Sequence, residues 1–101
     1  MTPDGVRALV AQLPETEERA HHGHPDFRVR KKIFATLWPD DNRSVLRLGC
    51  LEARALATQR PEVYRLVSDR EPYAWLSVQL EHADPQEFED LLEEAWRLRA
   101  V

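Results

Sequence analysis

Cysteine is nearly absent from this chain: Cys50 stands alone, so no disulfide can close within it. Its setting, between Gly49 and Leu51 with no base beside it, does not suggest a nucleophile. A reduced, cytoplasmic environment is expected. Glycine is also scarce, with three residues in 101, and no glycine-rich phosphate loop is present. Nucleophile-elbow, zinc-protease and kinase signatures are missing too. No apolar run approaches the ~20 residues that a membrane-spanning helix needs. The start, "MTPDGVRAL", lacks a basic segment followed by an apolar one, so no signal peptide is expected. These absences lead to the expectation of a non-enzymatic protein with no cofactor.

What is present suits one domain over residues 1–101 with a modest core. Hydrophobic residues make up 43%, including three Trp, three Phe and two Tyr to anchor packing. The net charge is −4, unevenly placed. Residues 1–47 hold eight Lys/Arg and seven Asp/Glu, whereas residues 48–101 hold six and eleven. An acidic chain is a poor general polyanion binder, so any nucleic-acid role must rest on a local patch.

Periodicity supplies the elements. "TPDGVRALVAQLP" reads as a helix capped by Thr2, with Val6, Leu9, Val10 and Leu13 on one stripe and Pro14 ending it. Residues 17–38 read as two or three strands. In "DFRVR", Phe27 and Val29 alternate with Asp26, Arg28 and Arg30. In "KIFATLW", Ile33, Ala35 and Leu37 would oppose Phe34, Thr36 and Trp38. "PDDN" is a turn and "RSVLRLG" the returning strand. "LEARALATQR" is a helix stopped by Pro61. "EVYRLVS" reads as a short strand or loop. "YAWLSVQL" is a strand with Ala74, Leu76, Val78 and Leu80 on one face. "DPQEFEDLLEEAWRL" is a helix with Asp84 as cap, Glu87 placed for a capping box and Glu93–Arg97 spaced for an ion pair. The order implies an α+β two-layer sandwich, with helices on one face of a mostly antiparallel sheet. The other face can stay open to solvent.

The chemistry-bearing residues gather in "HHGHPDFRVRKKIFATL", residues 21–37. His21, His22, His24 and Asp26 are candidate metal ligands. Their spacing is poor and they straddle a turn, so backbone hydrogen bonding is the competing reading and no metal is expected. "RVRKK" puts four cations in five residues, and Arg43 and Arg47 share one face of a later strand. Arg28, Arg30, Lys31, Lys32, Arg43 and Arg47 are therefore candidates for phosphate contact. Solvated, edge-protecting charge is the alternative. His22, His24, Trp38 and Trp75 are candidates for ligand contact or base stacking, although core packing is the expected role of the two Trp. The acidic face of the last helix reads either as solvated or as a surface for cations or a basic protein.

"LPETEERAHHGHPDFRVRKKIFATL", with "WLSVQL" and the closing "LLEEAW", resembles the MmcQ/YjbR-like family over nearly the whole chain. The resemblance implies a CyaY-like (frataxin-like) arrangement and a DNA-binding label. That label comes from likeness to the double-wing domain of a phage transcription activator, and such fold analogy does not itself establish function. It implies no catalytic residues. The family often has glycine at the turn where this chain has Arg30 and Lys31. A two-residue hairpin turn favours positive φ, which a non-glycine residue adopts only at a cost. Either the turn takes another shape, or strain is accepted there. The expectation is a bacterial, cytoplasmic, monomeric DNA binder without a membrane segment. The alternatives are a protein- or metal-interaction module using the acidic C-terminal helix, or a small-ligand domain with a pocket near His22, His24 and Trp75.

Overall fold

The computed structural model describes residues 1–101, except for the side chain of His21. The described residues form helix α1 (Pro3–Ala11), strands β1 (Thr16–His21), β2 (His24–Val29), β3 (Lys32–Trp38) and β4 (Arg43–Gly49), helix α2 (Cys50–Gln59), strands β5 (Tyr64–Arg70) and β6 (Tyr73–Gln79), and helix α3 (Pro85–Ala100). Short 3-10 turns follow β3 and β6. All neighbouring strands are antiparallel, in the order β1-β2-β3-β4-β6-β5. The chain leaves β4, crosses by α2 to the far edge as β5, and returns as β6 between them. This is the expected α+β sandwich. No helix is long and apolar enough to cross a membrane.

Local chemistry sets the helix ends. The Thr2 side chain accepts from the Gly5 N–H at 3.0 Å and Pro3 occupies the first turn, where its missing N–H costs nothing. Helix α1 stops at Ala11, short of the expected end, because the residue before Pro14 is pushed out of helical geometry. The Thr16 hydroxyl then donates to the Val10 and Leu13 carbonyls, tying the helix end to β1. The Asp84 carboxylate caps α3 by accepting from the Glu87 N–H at 2.9 Å. The reciprocal half of the capping box is replaced: the Glu87 carboxylate instead accepts from Arg60 and from the Tyr64 hydroxyl. That contact locks the α2–β5 turn to α3. Arg97 likewise pairs with Glu94 at 2.7 Å rather than with the expected Glu93.

The core lies between the helices and one sheet face. Val6, Val10, Phe88, Leu91, Leu92 and Ala95 meet Phe27, Val29, Leu37, Leu46, Leu48, Leu76 and Val78. One expectation about this face fails. The β2–β3 register steps from Phe27↔Ala35 to Arg28↔Ile33, leaving Phe34 as the extra residue of a β-bulge. The bulge keeps Phe34 and Ala35 both on the core side, each fully buried, and turns Ile33 to the opposite face. Strict alternation had put Ile33 and Ala35 on one face and Phe34 on the other.

The β2–β3 turn answers the question raised by its sequence. Arg30 and Lys31 both adopt left-handed φ, 52° and 65°. The neighbouring β1–β2 turn, His22–Gly23, does the same with glycine in its second position (φ 84°). The first turn therefore accepts backbone strain of ~1–2 kcal/mol per residue that glycine would avoid. Lys31→Gly is expected to raise unfolding stability by about 1 kcal/mol, because relief of strain exceeds the added freedom of the unfolded chain. Urea unfolding that shows a loss instead would mean that the turn is not strained.

Candidate functional site

The helix-free face of the sheet carries most of the nominated residues. Side chains alternate along each strand, and the register arranges them in rows across the sheet. The first row runs His24 (β2), Trp38 (β3), Arg43 (β4) and Gln79 (β6); the last two pairs are direct, and the first continues the Asp26↔Thr36 register. The second runs Asp26, Thr36, Val45, Ser77 and Arg65. The third has Arg28 beside Ile33 on one side and Arg47, Trp75 and Ser68 in line on the other, separated where the β3–β4 ladder has ended at Ala35↔Leu46.

Rows one and three bound a shallow groove with row two as its floor. Ile33, Thr36, Trp38, Arg43, Val45, Val67, Ser68 and Trp75 line about 350 Å³. Its surface is mostly carbon. Val67 joins it because β5 bulges between Leu66 and Ser68, leaving this residue 55% exposed. Core packing, expected for both Trp, is overturned: each is half-buried on the open face, because strand alternation sets it opposite its core-facing neighbours Leu37 and Leu76. Trp38 is held rigidly: its Nε1 donates to Thr36 Oγ1 at 3.1 Å, the His24 ring stacks on it at 3.6 Å, and the Arg43 guanidinium lies 4.6 Å from its ring centre. An indole flanked in this way presents a fixed apolar edge to a ligand.

The six nominated cations fall into distinct groups. Arg28 grips Asp26 through two hydrogen bonds, 2.9 and 3.2 Å, and Asp26 is fully buried although it faces the open side. Arg43 pairs with Asp41 at 3.5 Å. Arg47 lies over the Tyr73 ring at 3.7 Å. Arg30, Lys31 and Lys32 are exposed at the β2–β3 tip, without an ion pair among the described residues. The tip is thus the exposed part of the patch without carboxylate partners, while Arg47 lacks one but lies half-buried against Tyr73. Arg97 and Arg99 extend positive charge at that end of the sheet, although Arg97 is paired. The opposite end carries Asp40, Asp41, Glu81 and Asp84 on the turns after β3 and β6. Carboxylates stand at the tip end as well, with Glu17 across from Arg28 and Glu71 in the β5–β6 turn, so charge sign is not divided by sheet end.

The histidines do not join Trp75. His22 and His24 line a different recess of about 260 Å³ with Gly23, Trp38, Pro39, Asp40 and Asp41. Trp38 separates it from the groove. The His21 side chain lies outside the described residues. Among the described residues, no three His, Cys, Asp or Glu side chains lie together as a metal ion would require. On the acidic helix, Asp90, Glu93 and Glu94 surround a recess of about 270 Å³ with Leu13, Trp96 and Arg97. Cys50 is buried, and burial and then a hydrogen bond to Asp69 push its thiol pKa up. A thiol held protonated is a poor nucleophile. Asp69 itself is pulled down, chiefly by its hydrogen bonds from Arg54 at 2.8 and 3.0 Å.

The YjbR family profile matches residues 11–98. The chain belongs to the YjbR family. A solved structure, the Deinococcus radiodurans protein DR2400 of the domain family DUF419, superposes with a TM-score of 0.82 at 18% sequence identity. The match covers 96% of this chain and 77% of that one. At that identity the likeness establishes the fold. No curated protein sequence matches significantly. In this YjbR-family domain the matched region holds the open face, the groove and the charged tip together.

Proposed function

We propose that this YjbR-family domain is a non-enzymatic DNA-binding protein that takes single-stranded segments on its open sheet face. One observation carries the reading: two Trp side chains line a single apolar groove on the face that no helix covers. Every base has a π-face, so an aromatic platform accepts a strand without reading its sequence. Arg30, Lys31 and Lys32 at one end of the face would meet phosphate oxygens. Arg28 and Arg43 already have carboxylate partners and so contribute less net attraction than sequence alone suggested. That imbalance argues against duplex as the preferred form, because duplex binding depends on many neutralised phosphates. A carbon-rich groove with three free cations suits a strand held by stacking.

Titration of the protein with an oligothymidine and with a duplex of equal length, at low salt, tests this reading. The expected result is quenching of tryptophan fluorescence by the single strand and weaker binding of the duplex. The salt slope for the single strand should be about −2, as three phosphate contacts would give. Tighter binding to the duplex, or no quenching at low salt, would overturn it. Lys31→Gly should lower this slope while stabilising the fold, so binding and stability would move in opposite directions.

A further inference from the structure

Arg47 has a chemistry that the groove does not use. Its NH1 nitrogen is buried, and among the described residues no acceptor reaches it. Its plane rests on Tyr73, Trp75 is its cross-strand neighbour on β6, and no carboxylate forms an ion pair with it among the described residues. A buried donor without a partner is costly, most of all on a charged group.

A second guanidinium approaches the same place from the helical layer. The β3–β4 ladder ends at Ala35↔Leu46, because the Phe34 bulge bends β3 away. Just beyond that last pair, Arg99 from the end of α3 donates through Nε to the Ile33 carbonyl at 3.0 Å. Arg99 also has no carboxylate ion pair among the described residues. Its pKa is lowered, first by burial and then by the charge of Arg47, with Tyr73 acting in the opposite direction. Two like charges within electrostatic reach, both partly withdrawn from water, repel each other. Stacking on Tyr73 relieves only part of this for Arg47. An anion between them would supply the missing acceptor and cancel the repulsion.

We propose that Arg47 and Arg99 form a subsite for one tetrahedral oxyanion, a phosphate group, beside Tyr73 where β3 and β4 part. Guanidinium groups suit this ligand because their planar N–H forks match phosphate oxygens. The site does not depend on whether the groove binds a polymer. Its phosphate is either a free phosphate or a phosphodiester of a strand lying on the face, and the two sources share this chemistry.

The test is a titration of the full chain with inorganic phosphate, at an ionic strength held constant with chloride and followed by the arginine Nε–Hε resonances. Saturable shifts at both Arg47 and Arg99, with a higher melting temperature in phosphate than in chloride, are expected. Arg47→Met should weaken phosphate binding ~10-fold or more, the scale of losing hydrogen bonds from a charged group. Arg99→Gln keeps the Ile33 carbonyl within reach of a donor and should do the same, which covers the case in which the first variant folds poorly. Shifts that are equal in chloride, or unchanged by either substitution, would overturn the site. If a short oligothymidine displaces phosphate from these resonances, the phosphodiester is the source; if both bind together, a free phosphate is. Tryptophan quenching without arginine shifts would overturn this site and leave the groove reading intact.

Discussion

Trp75→Ala is expected to cut affinity for a single-stranded oligonucleotide roughly 5- to 150-fold, because base–aromatic stacking is worth about 1–3 kcal/mol per base. Trp75 is suited to show this loss. It is half-buried on the open face, lines the groove, and lies outside the packed helical layer. Trp38 is a poorer probe, because its substitution would also release His24, Arg43 and Thr36. Trp75→Phe should restore most of the affinity, since it keeps a stacking ring. Circular dichroism must show a folded chain in each case. Unchanged affinity in a folded Trp75→Ala protein would remove the groove from the binding surface.

The second large effect concerns the bulge that shapes that groove. Phe34→Ala should destabilise the domain by about 3–5 kcal/mol, the usual cost of removing a buried aromatic ring. A small domain has only about 5–15 kcal/mol in total, so a large share would be lost. Urea unfolding should show a lower midpoint with an unchanged slope. Ile33→Ala is the matched control. Ile33 faces the groove and is only partly buried, so it should cost much less. The two results in reverse order would mean that β3 alternates without a bulge. Ile33 would then belong to the core and Phe34 to the open face.

Phe34 also marks where periodicity misleads. Alternation reads a strand as if each residue meets one partner, and a bulge breaks that count without leaving a mark in composition. "KIFATLW" is apolar at most positions, so no polar residue betrays the extra one. Glu87 is a similar case. Its spacing from Asp84 fits a capping box, yet the Arg60 guanidinium and Tyr64 hydroxyl, distant in sequence, compete for its carboxylate. Tyr64 shows the consequence: burial first and this bond second raise its pKa above the ordinary phenol range.

The charged stretch was legible in part. Its hairpins, its turn at Arg30–Lys31 and the outward face of Arg28 follow from short-range pattern. The burial of Asp26 does not, since a carboxylate between a proline and a phenylalanine looks like surface chemistry. Nor does the difference between the free tip cations and the neutralised Arg28 and Arg43, because a sequence reports charge and not partners. The pairing of Trp38 with Trp75 in one groove needed the crossover that sets β6 beside β4. The sequence places these residues 37 positions apart on outward-facing alternations, and nothing local brings them together.

By itself, the sequence determined the helices, most strand spans and the two-layer α+β class, because these rest on capping, turn chemistry and periodicity over a few residues; the family came from the resemblance carried by residues 21–37. Only the tertiary structure decided which face stays open, which cations remain free and that the charge of Arg47 is felt at Arg99. Those features depend on strand order and on one inserted residue in β3, and contacts between distant segments set both.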